Sequence, residues 1–242
     1  MTDLAIWRSP DLKLANQLVD LLDPSLKHAL SKGDLNNLAH CVGPDLWVVP
    51  VLSMTACERL TRVVDDRLRW QARHLNAEHS PNSMHYAGVI LDPIGLAPAA
   101  SLLRQRVAEP LRKTFFPEFR HLDEDYAFVA TYGQQLDRRL DFHVDDSEVT
   151  LNISLSSAYS GGTLVFLGRR CVMHRQEKHR PEEEIHIHIP PGHGLIHAGS
   201  HRHLVQTVHG ERRNLIIWCR SSETRRERKT EVCPSWCGHQ GM

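Results

Sequence analysis

The sequence lacks an excess of either charge. Its 29 Lys and Arg residues balance 29 Asp and Glu residues, which leaves no formal net charge when histidine is neutral. Proteins that bind nucleic acids or anionic membranes through electrostatics usually carry a basic surplus. We therefore expect no nucleic acid and no membrane among the partners of this chain.

Long apolar stretches are missing as well. No run approaches the roughly 20 residues that a membrane-spanning helix needs. The opening MTDLAIWRSPDLKL lacks the basic stretch and the unbroken apolar segment of a secretory signal. The six cysteines are scattered, so we interpret them as reduced thiols. These features predict a cytoplasmic protein with one well-buried domain.

Histidine, in contrast, is abundant. The chain has 17 histidines, and many of them lie between His174 and His209. Such a cluster favours metal chemistry. The same abundance makes the individual ligands hard to select.

Helical patterns come first along the chain and strand patterns follow. Short helices broken by proline and glycine precede a strand at 46–52, and longer helices are predicted at about 55–75 and 99–115. Pro110 is expected to kink the second of these helices. From about residue 126, period-two alternation predicts about eight short antiparallel strands. The pattern predicts an α+β fold, with a jelly-roll (double-stranded β-helix) core and N-terminal helices packed on one sheet.

A candidate metal motif begins at His143. On an extended strand, residues i and i+2 point the same way, so His143 and Asp145 can converge on one ion. Asp146 lacks this relation and is interpreted as a turn or capping group. A second histidine from a distant strand would complete a set of two histidines and one carboxylate, which leaves three coordination positions of iron(II) open.

Several segments resemble the prolyl and lysyl hydroxylase superfamily of Fe(II)- and 2-oxoglutarate-dependent dioxygenases. The resemblance extends to the group of 2-oxoglutarate and iron-dependent oxygenase domain-containing protein 2. It covers roughly residues 80–237, and the first 80 residues carry little of it. The segments that carry it are PNSMHYAGVILDPIGL, YAFVATY, HVDDSEVTLNISL, YSGGTLVFLG, HAGSHRH, GERRNLIIWCRSS and CPSWC.

The resemblance implies a division of the chain and a choice of distal ligand. We expect a helical support region at 1–80, a dioxygenase jelly roll at 81–222 and a charged, cysteine-containing tail at 223–242. The superfamily places its distal ligand shortly before a Gly-x-Arg turn, which favours His203. The alternatives are His201, which shares its strand face, and the neighbouring histidines His186, His188, His193 and His197.

A cosubstrate site is implied by the same resemblance. Arg212 occupies the superfamily position that pairs with the 5-carboxylate of 2-oxoglutarate, and burying that charge without a partner would be costly. Strand alternation makes Arg213 the alternative. Tyr132 is expected to bond to the cosubstrate. Asn152 and Ser154 belong to the polar face of a strand, which either meets water or lines the pocket.

The implied activity is hydroxylation of an unactivated C–H bond. Iron(II), 2-oxoglutarate and dioxygen would be required, succinate and carbon dioxide would be coproducts, and ascorbate is a candidate reductant. The substrate is a peptide side chain or a small molecule, which the sequence does not distinguish. The alternative is a jelly-roll protein that binds metal or ligand without turnover.

The tail contains half of a zinc-binding pattern, Cys233-Pro-Ser-Trp-Cys237 followed by His239. A structural zinc site needs four ligands. The residues that could complete it are Cys219, Cys171 and His174. An ordinary cysteine-containing tail is the simpler expectation.

Overall fold

The structure is a computed structural model that describes residues 17–18, 20–74, 88–133, 136–156, 158–227 and 233–239. Its helices are α1 (Pro24–Lys32), α2 (Leu35–Leu38), α3 (Met54–His74), α4 (Ala97–Leu103), α5 (Glu109–Phe115) and α6 (Ser222–Arg226). Its strands are β1 (His40–Gly43), β2 (Leu46–Pro50), β3 (Gly88–Ile90), β4 (Glu124–Tyr132), β5 (Leu140–His143), β6 (Val149–Ser154), β7 (Tyr159–Gly161), β8 (Leu164–Arg169), β9 (Glu184–Ile187), β10 (His193–Ala198), β11 (His201–Val205), β12 (Val208–Gly210) and β13 (Arg212–Arg220). None of the helices in these described ranges is long and apolar enough to span a membrane.

The helices agree with the predicted positions but differ in one detail. Helix α3 matches the helix predicted at about 55–75. The predicted helix at 99–115 consists of α4 and α5, with a π-helical turn at Arg104–Ala108 between them. Pro110 follows closely after this turn, inside a continuous helix, where it has no N–H to donate and its ring crowds the preceding turn. The irregularity therefore lies in the π turn just before the proline.

The strands form two main antiparallel sheets. The larger sheet has seven strands in the order β1-β2-β10-β6-β13-β4-β3, and the smaller has four in the order β5-β11-β8-β9. Strands β7 and β12 pair separately with each other. Without these two short strands, eight strands lie between residues 124 and 220, as the alternation predicts. The α+β fold with a jelly-roll core is confirmed.

Alternation along the central strands sorts their side chains into two layers. In β6, Leu151 and Ile153 pack into the apolar core that contains the helices. Thr150, Asn152 and Ser154 point to the opposite face, between the sheets, and all three are buried. The polar face of β6 therefore lies in the interior of the jelly roll. It does not meet bulk water.

The first part of the chain contributes strands as well as helices. Strand β2 pairs with β10, and β1 pairs with β2, so both extend the larger sheet. The predicted domain boundary at residue 80 falls outside the described residues. The division into a support region, a jelly-roll domain and a tail stays a prediction.

A buried carboxylate links α5 to the segment that leads into β4. Glu109 Oε1 lies 2.7 Å from Arg112 Nη2 and 3.0 Å from His121 Nδ1, and its Oε2 accepts a hydrogen bond of 3.1 Å from the Leu122 N–H. Burial raises the pKa of this carboxyl, but the hydrogen bonds from Arg112, His121 and Leu122 outweigh burial and lower it. Glu109 is therefore ionised in the folded protein at neutral pH.

Replacing Glu109 by Gln is expected to lower the free energy of unfolding at pH 7 by about 3 kcal/mol, because Arg112 is left buried without its partner. A lowered pKa in the folded state stabilises the protein above the ordinary carboxyl range, and this stabilisation is lost as the pH falls through the folded pKa. The difference between wild type and Glu109→Gln should therefore shrink in acid. Urea denaturation across this pH range measures it. Glu118→Gln is the control. Glu118 is exposed and lies 3.5 Å from the buried Arg169, which keeps its 2.7 Å hydrogen bond to Asp45, so the substitution should change stability by less than about 1 kcal/mol.

Candidate metal centre and its cavity

Three potential ligands meet where the smaller sheet joins the loop after β5. His143 ends β5 and lies directly opposite His203 in β11. Asp145 follows two residues later, and its N–H donates to the Gly199 carbonyl at 3.0 Å. Strand pairing therefore brings together residues that lie 60 positions apart in the sequence.

The ligand atoms of this group all lie within 4.8 Å of one another. Oδ1 of Asp145 is 3.7 Å from Nε2 of His143 and 3.9 Å from Nε2 of His203. Both imidazoles donate through Nδ1 to backbone carbonyls, at 2.9 and 3.0 Å, so each presents Nε2 to the centre. Outer hydrogen bonds of this kind fix the ring orientation and the tautomer in metal sites.

The carboxylate of Asp145 is ionised and oriented so that it can bind a cation. Burial raises its pKa, but the imidazoles of His203, His197 and His143 and a hydrogen bond from Thr150 together lower it. The hydroxyl of Thr150 donates to Oδ2 at 2.6 Å, which leaves Oδ1 directed at the two histidines. The donor set of two neutral nitrogens and one carboxylate oxygen fits an iron(II) ion with open coordination positions.

The other histidines near the site have different surroundings. Nε2 of His197 lies 3.7 Å from Oδ2 of Asp145, the oxygen that accepts from Thr150, and burial lowers the His197 pKa to about 4. His201 is buried against Phe166, outside the converging group. His186 is exposed and contacts Glu184. Among the described residues, His203 is therefore the distal histidine that the fold places beside His143 and Asp145.

A narrow cavity of about 30 Å³ opens from these ligands into the interior of the jelly roll. Both sheets contribute polar and apolar side chains to its lining. The lining residues are Phe128, Ala130, Tyr132, Leu140, His143, Asp145, Thr150, Asn152, Leu164, His203, Val205, Ile216 and Trp218. An apolar cavity with a few converging polar groups is the usual form of a small-molecule site.

Arg212 is a buried cation without a carboxylate partner among the described residues. Its side chain is 2% exposed. Its Nε donates to Oδ1 of Asn214 at 2.9 Å, and its Nη1 donates to the Gly162 carbonyl at 2.9 Å. Its guanidinium carbon lies 5.5 Å from the ring centre of Tyr132, which lines the cavity. A buried charge held only by neutral groups fits an anionic ligand.

The adjacent Arg213 has the opposite orientation. Its Nη1 donates to Oδ1 of Asp65 in α3 at 2.6 Å, and its Nε lies 2.9 Å from Oε1 of Glu211 in an ion pair. The alternation of β13 therefore directs Arg212 inward and Arg213 toward the helices.

The remaining predicted cosubstrate residues differ in their distance from the cavity. Tyr132 is buried, which raises its pKa to about 12, so its hydroxyl is protonated at neutral pH. Oδ1 of Asn152 accepts a 2.7 Å hydrogen bond from Asn214, and Asn152 lines the cavity. The hydroxyl of Ser154 instead lies 3.4 Å from the Ser156 carbonyl, outside the lining.

Sequence reasoning did not select two residues of the site. Thr150 bonds to Asp145, and its spacing of two from Asn152 could have identified it as a residue of the same face. Trp218 lines the cavity with a buried indole N–H that has no hydrogen-bond partner among the described residues. No local pattern marks this tryptophan, because its neighbours across the sheet decide what it faces.

Comparisons with known proteins identify relatives of this fold and sequence. Residues 11–121 match a family model described as the OGFOD2-like domain. The Arabidopsis thaliana 2-oxoglutarate and iron-dependent oxygenase domain-containing protein CP2 is 38% identical over 201 residues, 81% of this chain and 50% of that protein. The Homo sapiens 2-oxoglutarate and iron-dependent oxygenase domain-containing protein 2 is 31% identical over 196 residues, 79% of this chain and 52% of that protein. The chain thus spans about half the length of these relatives.

Solved structures share the fold at lower sequence identity. A Pseudomonas putida prolyl-4-hydroxylase superposes with a TM-score of 0.52 and 16% identity, over 81% of this chain and 98% of that chain. A Trichoplax adhaerens prolyl hydroxylase, solved with a peptide fragment of hypoxia-inducible factor, gives 0.53 and 16% over 83% and 94%. At this level of identity the likeness concerns the fold alone.

Proposed function

Because the chain belongs to the family of 2-oxoglutarate and iron-dependent oxygenase domain-containing proteins, we propose that it is a non-haem dioxygenase. It uses iron(II) and 2-oxoglutarate to hydroxylate a C–H bond of a peptide side chain or a small molecule. Succinate and carbon dioxide are the coproducts, and we propose that the enzyme acts in the cytoplasm. The observation that carries this proposal is the convergence of His143, Asp145 and His203 at one end of the internal cavity.

In this proposal, each ligand is held in place before the metal binds. His143 and His203 present Nε2 because their Nδ1 atoms donate to backbone carbonyls. Asp145 presents Oδ1 because Thr150 bonds to Oδ2. When bound, iron(II) activates dioxygen for oxidation of a C–H bond. The chain supplies the geometry and the ionised carboxylate.

The cosubstrate is held by the buried cation. Arg212 donates to neutral groups through Nε and Nη1, and we assign its Nη2 to the 5-carboxylate of 2-oxoglutarate. Asn152 bonds to Asn214, which accepts from Arg212, so Asn152 positions the guanidinium indirectly. Tyr132 offers a protonated hydroxyl on the same wall. Ser154 stays a prediction for this role.

The primary substrate enters the part of the cavity that faces away from Arg212. Phe128, Ile216 and Trp218 form an apolar wall there, which excludes water from the reacting C–H bond. The indole N–H of Trp218 is available to a carbonyl or hydroxyl of the substrate. A jelly roll that binds ligand without turnover is the second candidate, but the complete set of three ligands and one buried arginine favours catalysis.

Anaerobic titration of the metal-free protein with iron(II) and then 2-oxoglutarate tests the proposal. A visible charge-transfer band is expected when the 2-oxo acid chelates the metal. Succinate, which lacks the 2-oxo group, should produce no band. Admission of air should then convert 2-oxoglutarate to succinate. A band without succinate formation would support the binding protein, and the absence of both would contradict the proposed function.

A further inference from the structure

A second group of metal-ligating side chains lies outside the cavity. Cys171 follows β8, and His174 ends a 3₁₀ turn at Val172–His174. Cys233 and Cys237 belong to the described part of the tail, 233–239. One ligand atom from each of these four residues lies within 4.8 Å of the other three. Two short segments from distant parts of the sequence thus form one cluster.

The distances fit a tetrahedral metal ion. Nδ1 of His174 lies 3.5 Å from the Sγ atoms of both Cys233 and Cys237 and 3.1 Å from Sγ of Cys171. Sγ of Cys171 lies 3.9 Å from Sγ of Cys233. Zinc bonds of about 2.3 Å to sulfur and about 2.0 Å to nitrogen place tetrahedral ligands about 3.8 Å apart for two sulfurs and about 3.6 Å apart for sulfur and nitrogen. A disulfide would require a separation of about 2.05 Å.

The backbone around the cluster favours thiolate ligands. The N–H of Cys171 donates to Sγ of Cys237 at 3.3 Å. The spacings are also those of chelating pairs, with two residues between Cys171 and His174 and three between Cys233 and Cys237. Three thiolates and one imidazole are soft ligands that select zinc over the oxygen-preferring ions.

We propose that Cys171, His174, Cys233 and Cys237 form a structural zinc site that fastens the C-terminal segment to the connection between β8 and β9. The site is closed, with four protein ligands, and is separate from the group that contains Asp145. The expectation of an ordinary cysteine-containing tail is replaced by this proposal. Cys219, another candidate from the sequence, lies in β13 and bonds to the Ile217 carbonyl.

His239 is a neighbour of the site and the rival for the fourth position. Its ring stacks on that of His174, with the centroids 4.0 Å apart and the planes at 4°. Its Nδ1 lies 3.2 Å from Sγ of Cys233. It does not belong to the group whose ligand atoms all converge. We therefore assign it to packing against the ligand His174.

Contacts around the cluster indicate what the zinc ion would hold together. Gly238 donates to the Arg169 carbonyl at 3.1 Å, and the Arg169 guanidinium lies 4.4 Å from the centre of the Trp236 ring. Arg202, next to the proposed ligand His203, donates to the carbonyl of Glu177 in the same connection. The zinc ion would therefore stabilise the connection between β8 and β9, which contacts β11, the strand that carries His203.

The test is the zinc content of the full-length protein, purified without chelator and dialysed. We expect one zinc per chain, released when a mercurial blocks the thiols. Cys171→Ser, Cys233→Ser and His174→Ala should each lose most of the zinc. Cys41→Ser, which changes an exposed cysteine outside the cluster, should keep it. Asp145→Ala should also keep it, which separates this site from the proposed iron site.

Cobalt(II) supplied during expression gives a second measurement that does not depend on the stability of a variant. The wild-type protein should show the intense visible bands of tetrahedral cobalt bound to thiolates. His239→Ala should preserve these bands. If the bands were lost in this variant, His239 would be the fourth ligand and the assignment of His174 would be wrong. The proposed zinc site would be wrong if the wild-type protein contained no zinc and its cluster cysteines either reacted freely with thiol reagents or formed a disulfide.

Discussion

Asp145→Ala is expected to weaken iron(II) binding by at least ~100-fold and to abolish formation of succinate from 2-oxoglutarate. Loss of an outer partner alone lowers metal affinity or activity about 10- to 100-fold, and loss of a ligand should exceed this. The substitution also leaves three imidazoles without the carboxylate that lies among them. Anaerobic calorimetry with iron(II) and a succinate assay in air measure the two effects.

Asp146→Ala is the matched control for this experiment. Asp146 is the next residue in the chain, but it is exposed and pairs with Arg220 at 2.8 Å and Arg225 at 2.9 Å on the surface. Its replacement should leave the iron affinity and the succinate yield unchanged, with a stability loss below about 1 kcal/mol. Equal iron affinity in wild type and Asp145→Ala would remove Asp145 from the site.

Elements whose period is regular could be predicted from the sequence. Helix α3 was predictable because its apolar residues recur at three- and four-residue spacing, and the jelly roll because its strands alternate. The same alternation allows only one of Arg212 and Arg213 to point inward, and the family resemblance selected Arg212. Pro110 predicts an irregularity in the helix at 99–115, but the sequence does not show that it takes the form of a π turn instead of a kink.

Alternation along the strand could not decide between His201 and His203 as the distal histidine. In a regular strand, His201 and His203 would point to the same face because they are two residues apart. However, the register between β11 and β8 shifts between these two residues. Only His203 then lies opposite His143. A bulge of this kind depends on the partner strand, so residues in one strand cannot reveal it.

The zinc cluster illustrates a different limit. The pair Cys233 and Cys237 is visible in the sequence, but three other residues could have completed the four ligands. The choice depends on where the tail returns to the sheet. The hydrogen bond from Gly238 to Arg169 fixes that position, and it is a contact between segments about 70 residues apart. Local spacing contains no information about such a contact.

Arg212→Ala is expected to weaken 2-oxoglutarate binding by about 10² to 10⁴-fold while iron(II) binding stays within about twofold of wild type. Removing one partner of a buried ion pair costs about 3–5 kcal/mol, because the other charge is left unpaired. The iron ligands do not contact Arg212, whose hydrogen bonds go to Asn214 and Gly162. Titration of the charge-transfer band with 2-oxoglutarate gives the affinity.

Arg213→Ala tests the same strand from its other face. This arginine forms ion pairs with Asp65 and Glu211 and does not line the cavity, so its loss should lower stability and leave cosubstrate affinity unchanged. Arg212→Lys should recover part of the affinity, because an ammonium group keeps the charge but loses the forked geometry. Equal 2-oxoglutarate affinity in Arg212→Ala and wild type would contradict this assignment. The guanidinium would then only stabilise the fold through its hydrogen bonds to Asn214 and Gly162, and another cation would have to bind the cosubstrate carboxylate.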